Sequence, residues 1–285
     1  MRAVVAVFLF AAVFVSPLAA QEMRGTLQQI KDSGEIRIGF REAEPPMSFV
    51  GQSGAPVGYS IEICNAIVAE LKNTLGTDLK VNFVPVTAEN RFSSLNENKI
   101  DILCGSTTKT LGRREIVDFT ELTFVTGASL MSMKSTSLLD FPSLNGKKVG
   151  VVSGTTTVQA LRAIVKRTQT DATIVEVASA REGVRQMLQG NIDAFSADQV
   201  VLIGLALSSG DPNRFAIASG VFSYEPFALA VRRNDADFRL LADRAIADLY
   251  RSEQILQIFE KWMGQFAAQR PPVFDALFQL GATPE

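Results

Sequence analysis

The sequence predicts an α/β protein of two lobes joined by two crossings of the chain. Strand-like and helix-like patterns alternate along the body, which implies mostly parallel sheets. They fall into two blocks, split near Thr123–Ser135, and a stretch of Ser, Pro, Asn and Gly at Ser135–Gly146 reads as the linker between them. The second block ends near Tyr224–Pro226, and beyond it lie one strand and two amphipathic helices with no sheet of their own. The simplest assignment returns that tail to the first block.

In the first block Glu35–Phe40 reads as a strand. Ile61–Leu75 reads as a helix, because Ile61, Cys64, Ile67, Val68, Leu71 and Leu75 recur at helical spacing. Strand Val81–Val86, a short helix Glu89–Asn98 and the alternating strand Asp101–Cys104 come next. The second block runs strand Lys148–Val152, helix Thr156–Lys166, strand Thr173–Val177, helix Ala180–Gln189, strand Ile192–Ser196 and helix Asp198–Leu207. The tail is strand Pro226–Arg232 with helices near Ala236–Tyr250 and Ser252–Phe266. The expected division is residues 24–125 and 227–268 for the first lobe, 126–226 for the second, and 269–285 as a peripheral extension.

Residues 1–20 read as an export signal. Arg2 gives a positive start, Ala3–Val15 is continuously apolar and Ser16–Ala20 is a small-residue exit, with cleavage expected after Ala20. The run is short for a membrane span, which needs roughly twenty apolar residues; an uncleaved anchor is the alternative. No cysteine sits at the cleavage site, so no lipid attachment is expected there, and no later segment reads as a membrane span. The mature protein is expected in the periplasm.

Composition removes most enzyme classes. With 28 Lys and Arg against 30 Asp and Glu, the net charge of −2 gives no electrostatic case for nucleic acid. The chain has no histidine, which excludes Ser-His-Asp and Cys-His nucleophiles in their usual form, H-E-x-x-H zinc sites and histidine general bases. Two cysteines cannot make a four-thiolate zinc site. No metal or cofactor is expected. Cys64, on the apolar face of a helix, and Cys104, at the end of a strand, can pair only with each other. Export permits a disulfide, which is the expectation; two buried free thiols are the alternative.

Two hydroxyl clusters stand at strand ends. Gly105-Ser106-Thr107-Thr108 comes after the strand ending at Cys104, and Ser153-Gly154-Thr155-Thr156-Thr157 opens a helix. Hydroxyls and free N–H groups at a helix start serve equally for capping and for anion binding. Neither is a phosphate loop, because no G-x-x-x-x-G-K is present. Arg113 lies five residues after Thr108, and a guanidinium can grip a carboxylate with two parallel hydrogen bonds, although an arbitrary arginine is a solvated charge.

These residues, taken in order, resemble the periplasmic amino-acid-binding proteins of ABC importers, the bacterial solute-binding proteins of family 3, over roughly Thr26 to Phe266. The matching pieces are Ile36-Arg37-Ile38-Gly39, Val57-Gly58-Tyr59-Ser60, Asn90-Arg91, Cys104 to Thr108, Arg113 with Val117-Asp118-Phe119, Ser153 to Thr156, and Asp193-Ala194-Phe195 to Asp198. The glutamate/aspartate-binding branch is nearest, through Gly39-x-Arg41-Glu42, Thr87-x-x-Asn90-Arg91 and Gly105-Ser106-Thr107-Thr108.

The resemblance implies a periplasmic-binding-protein fold with two hinge crossings and a ligand cleft between the lobes. It implies that Arg113, Ser106 and Thr108 hold the ligand α-carboxylate and that Thr155 and Thr156 close on it. Asp198 takes the α-ammonium, and Arg41 and Arg91 line the acidic side-chain pocket. Three guanidinia against one carboxylate give a local sum of +2, which suits a dicarboxylic ligand. Departures from the branch are Ala88 in place of a hydroxyl, Ala180 near the place of a histidine, beside Arg181, and Glu44 and Ala88 at slots that are aromatic in binders of neutral ligands. Expected partners are an amino acid and the membrane permease and ATPase subunits of an importer, with the receptor itself a monomer. The competing reading is an enzyme resembling periplasmic cyclohexadienyl or arogenate dehydratases on the same scaffold, for which Glu44 and Glu182 are the acids available. A receptor's ligand-sensing module would need an attached membrane span or signalling domain.

Overall fold

The computed structural model describes residues 23–264 and 270–285. The expected signal peptide at 1–20 lies outside the described residues, as does the end of the helix expected at Ser252–Phe266.

Helix α1 (Gly25–Ser33) leads into β1 (Glu35–Phe40). In β1 the alternating Ile36, Ile38 and Phe40 enter the large apolar core, as a period of two requires. Next is a small antiparallel sheet of β2 (Ala43–Glu44), β3 (Ser48–Val50) and β4 (Pro56–Val57). Then come α2 (Tyr59–Leu75), β5 (Lys80–Pro85), α3 (Arg91–Asn96) and β6 (Ile102–Cys104). Helix α2 buries Ile63, Ile67 and Leu71 against β1, and Cys64 on the same helix is bonded to Cys104 at the end of β6. The disulfide thus fastens a helix to the sheet it covers.

Strand β7 (Val117–Thr126) closes this part, and after Gly127 alone β8 (Ala128–Met133) begins a second sheet. That sheet is completed by β9 (Lys147–Val152), β10 (Ala172–Val177), β11 (Ala194–Asp198) and β12 (Phe215–Ile217), with helices α4 (Thr156–Arg167), α5 (Ala180–Leu188) and α6 (Gln199–Ser208). The chain then recrosses to β13 (Glu225–Arg232), α7 (Ala236–Arg251), α8 (Gln254–Met263) and α9 (Pro272–Gly281).

The two sheets have five strands each, in the orders β5-β1-β6-β13-β7 and β10-β9-β11-β8-β12. Both are mixed, where mostly parallel sheets were expected. β13 runs antiparallel to β6 and β7, and β8 antiparallel to β11 and β12. The cause is the double crossing. The other strands end at the edge facing the opposite lobe, whereas β8 and β13 arrive from that lobe and must start there.

The stretch Ser135–Gly146, expected as the linker, instead joins β8 to β9 within the second sheet and buries Leu138 and Leu144 in its core. The true crossing is the Gly127 step, laid against the return strand: Phe222 N–H donates to Ala128 O (2.9 Å) and Ala128 N–H to Ser223 Oγ (2.9 Å). The segment expected to be a peripheral extension is also different. Helix α9 seats Phe274 and Phe278 in the first core, with the Phe274 ring 4.7 Å from Phe124 and 4.8 Å from Phe259.

Candidate functional site

The strand ends of both sheets face one another, the position at which open α/β sheets bind ligands. From the first sheet come Arg41 after β1, Arg91 opening α3 after β5, and Ser106, Thr108 and Arg113 after β6. From the second come Thr155 and Thr156 after β9, and Asp198 ending β11. Ser48 Oγ, on β3, accepts the Arg41 N–H (2.9 Å) and donates to Arg41 O (3.2 Å), fixing the backbone where that side chain departs.

The hydroxyls link the lobes. Thr156 Oγ1 donates to Glu225 Oε2 (2.7 Å), Thr108 Oγ1 donates to the same oxygen (2.6 Å), and the two hydroxyls lie 3.3 Å apart. Ser223 Oγ donates to Glu225 Oε1 (2.7 Å). Thr155 is different: its hydroxyl turns back to Val152 O (2.7 Å) and serves the loop that starts α4.

Three guanidinia converge. Arg91 is buried, its Nη1 donating to Ala88 O and its Nη2 crossing the cleft to Gly154 O (3.1 Å). Gly154 has φ +73°, and a Cβ there would stand 3.2 Å from Ala88 O. Its missing side chain therefore admits both the left-handed turn and the approach of the lobes. Arg113 Nη1 donates to Thr108 O (2.8 Å), and the Phe92 ring lies under both Arg91 and Arg113. Burial, then the neighbouring charges of Arg113 and Arg41, push Arg91 down to about 9. Burial likewise lowers Arg113, against the pull of Glu225 and Asp198.

The acids are more numerous than the sequence alone suggests. Glu44, on β2, pairs with Arg41 (2.8 Å) and accepts a hydrogen bond from Ser106 Oγ. Glu225, at the start of β13, is buried. With Asp198 they make three carboxyls among the three expected guanidinia, Arg41, Arg91 and Arg113, which reduces the expected local excess of positive charge. Burial first, then the nearby charges of Glu225 and Glu44, raises Asp198 well above the usual carboxylate range. Ser106 is thereby tied to Glu44, and Arg41 already has a partner. Glu225 was missed; its signal was an acid placed at the predicted return crossing, directly before an apolar strand.

Among the described residues, two buried side-chain polar atoms have no hydrogen-bond partner: Arg91 Nε and Asp198 Oδ1. One is a cationic donor in the first lobe and the other a carboxylate acceptor in the second. A buried unpaired polar atom of this kind costs on the order of 1–3 kcal/mol, more when charged. A cavity of about 100 Å³ is bounded by Arg41, Glu44 and Thr87 on one side and Ala180 and Arg181 on the other. Arg181 thus lines a cavity together with Arg41 and Glu44, while Ala88 and Ala180 are buried in an apolar cluster with second-lobe residues.

The chain matches the family described as bacterial extracellular solute-binding proteins, family 3, over residues 36–265. It is 33% identical over 257 residues to an L-glutamate/L-aspartate-binding protein of Pseudomonas aeruginosa, covering 90% of this chain and 85% of that one. It is 31% identical over 261 residues to a glutamate/aspartate import solute-binding protein of Escherichia coli K12, covering 91% and 86%. Among solved structures, a solute receptor for L-cysteine of Neisseria gonorrhoeae superimposes with a TM-score of 0.73 at 27% identity, covering 84% of this chain and 94% of that one.

Proposed function

The chain belongs to the bacterial extracellular solute-binding proteins of family 3, and from that premise we propose that it is the amino-acid-binding receptor of an ABC importer, with glutamate and aspartate as its favoured ligands. It works outside the cytoplasm, closes its lobes on the ligand and delivers it to a membrane permease driven by a separate ATPase. The observation that carries the reading is the pair of unpartnered buried atoms, Arg91 Nε and Asp198 Oδ1. An acidic α-amino acid brings a side-chain carboxylate for Arg91 in the first lobe and an ammonium for Asp198 in the second, and so satisfies both atoms at once. Arg113, of whose guanidinium only Nη1 is engaged, by Thr108 O, has N–H groups left for the α-carboxylate. Arg91, which has no carboxylate of its own, supports the acidic side chain, and the two glutamate/aspartate-binding relatives support the same choice.

The dehydratase alternative gains nothing from the acids open to it. Glu44 is engaged by Arg41 and Ser106. Hydrogen bonds from Arg185 and Gln186 hold Glu182 below the usual carboxylate range, the opposite of what a general acid needs.

Calorimetric titration of refolded, ligand-free protein with glutamate, aspartate, glutamine and arginine tests the reading. Tight 1:1 binding of an acidic amino acid is expected. Arg91→Ala should weaken it by about 2–5 kcal/mol, the usual cost of removing one member of a desolvated charge pair. Absence of binding by every amino acid would overturn the proposal.

A further inference from the structure

Helix α2 begins between the two loops that carry the first lobe's part of the cleft. On one side is the turn from β2 to β3, just after Glu44. Tyr59 N–H donates to Pro46 O (2.8 Å) and Ser60 N–H to Met47 O (3.0 Å). Gly58, directly before the helix, has φ +137°, and a Cβ there would collide with Met47 O, so the turn and the helix start meet backbone to backbone. On the other side is the loop after β6. The fully buried Ser60 donates its hydroxyl to Gly105 O (3.1 Å). Cys64, one helical turn further along the same face, is bonded to Cys104. One face of α2 thus holds two successive residues, Cys104 and Gly105, directly before Ser106.

That attachment comes where the chain leaves the sheet. Strand β6 ends at Cys104, and the loop rejoins the sheet where Ala228 N–H donates to Thr107 O (3.1 Å) and Lys109 N–H to Pro226 O (2.8 Å). Between these points Gly105 lies against Arg41, for a Cβ on it would stand 3.0 Å from Arg41 Cγ. A shift of Gly105 is therefore felt twice, by Ser106 next to it in the chain and by Arg41 through contact. Ser106 in turn donates to Glu44, which pairs with Arg41. A loop released from α2 has to be ordered again each time a ligand binds. Re-fixing the backbone of one residue on binding lowers affinity by about tenfold.

We infer that Ser60 and the Cys64–Cys104 bridge are positioning residues for the ligand: through Gly105 and Cys104 they hold Ser106 and Arg41 in place, beyond any contribution to stability. The inference rests on the amino-acid-binding reading above and deepens it.

The test is calorimetric titration of wild type, Ser60→Ala, the double variant Cys64→Ala/Cys104→Ala and Ile30→Ala, each first checked for folding by circular dichroism. The probe is whichever of glutamate, aspartate, glutamine and arginine the wild type binds most tightly. Ile30 is buried in the same core, on α1 at the opposite end of β1 from Arg41, so Ile30→Ala loses stability without touching either loop. The double variant should bind about tenfold or more weaker than wild type, Ser60→Ala about threefold or more weaker, and Ile30→Ala within about twofold of wild type. Either folded α2 variant binding as tightly as wild type would overturn the inference and leave the receptor reading intact. An Ile30→Ala loss equal to theirs would overturn it as well, because affinity would then track stability alone. Wild type that binds none of the four amino acids would overturn both. Ser60→Ala alone decides the matter if the chain without the bridge does not fold.

Discussion

A buried carboxyl whose Oδ1 has no partner is a proton trap, and Asp198 has that environment. Its folded pKa is raised, so the stability it contributes is full below the unfolded value near 3.9 and is lost as pH rises through the folded value. A ligand ammonium reverses this by favouring the ionised form. Binding at mildly acidic pH should therefore release a proton, and affinity should rise with pH until the free carboxyl has ionised. Titrations in buffers of different ionisation enthalpy count that proton, and Asp198→Asn should abolish the release while weakening binding. Equal heats in all buffers for wild type would remove Asp198 from the ammonium site. In the sequence the hydroxyl clusters that hold Thr108 and Thr156 are legible as strand-end motifs, whereas Arg91, Arg113 and Asp198 become site candidates through the family resemblance. Glu44 is marked in the sequence only as a departure at a slot that is aromatic in relatives, and Glu225 was not legible, since a single acid before a proline carries no periodicity and its partner Thr108 lies 117 residues away.

Local pattern read the elements well wherever a strand or helix had its own apolar period. β1, α2, β10, α4 and α7 fall within a residue or two of their expected spans. β7 and β8 escaped because Val117–Met133 is one long β-prone run in which Gly127 alone marks the change of sheet. Helix α9 escaped because its apolar face is short: only Phe274 and Phe278 are buried, and both dock on aromatic rings from distant parts of the chain. That docking makes α9 part of the first lobe energetically. Phe274→Ala removes a ring packed between Phe124 and Phe259 and should cost about 3–5 kcal/mol, the range for buried aromatic deletions. Urea unfolding followed by far-UV circular dichroism measures it. A loss below about 0.5 kcal/mol, typical of surface positions, would return α9 to the status of an appendage.

At the scale of the whole molecule, two sheets with one reversed strand each are the geometric consequence of a chain that crosses twice, and the crossings lie side by side at Gly127 and Ser223. Such a junction is narrow, and on the proposed function bending there moves one sheet against the other as a hinge, with the ligand contacts at the edge that opens. The lobes already touch through Thr156 and Glu225, Thr108 and Thr156, and Arg91 and Gly154. These contacts set how much of the protein is closed before any ligand arrives, and the apparent affinity scales with that closed fraction. Thr156→Val keeps the branched shape at the start of α4 and removes the hydroxyl bonded to Glu225. The net worth of one such bond is about 0.5–1.5 kcal/mol, a factor of roughly 2–13 in the closed fraction where that fraction is small. Small-angle scattering should then show a larger radius of gyration for the ligand-free variant than for ligand-free wild type. The two should converge at saturating ligand, with affinity lowered by the same factor. Unequal radii at saturation would mean that Thr156 shapes the closed form itself. Equal radii without ligand would mean that the hydroxyl does not hold the lobes together.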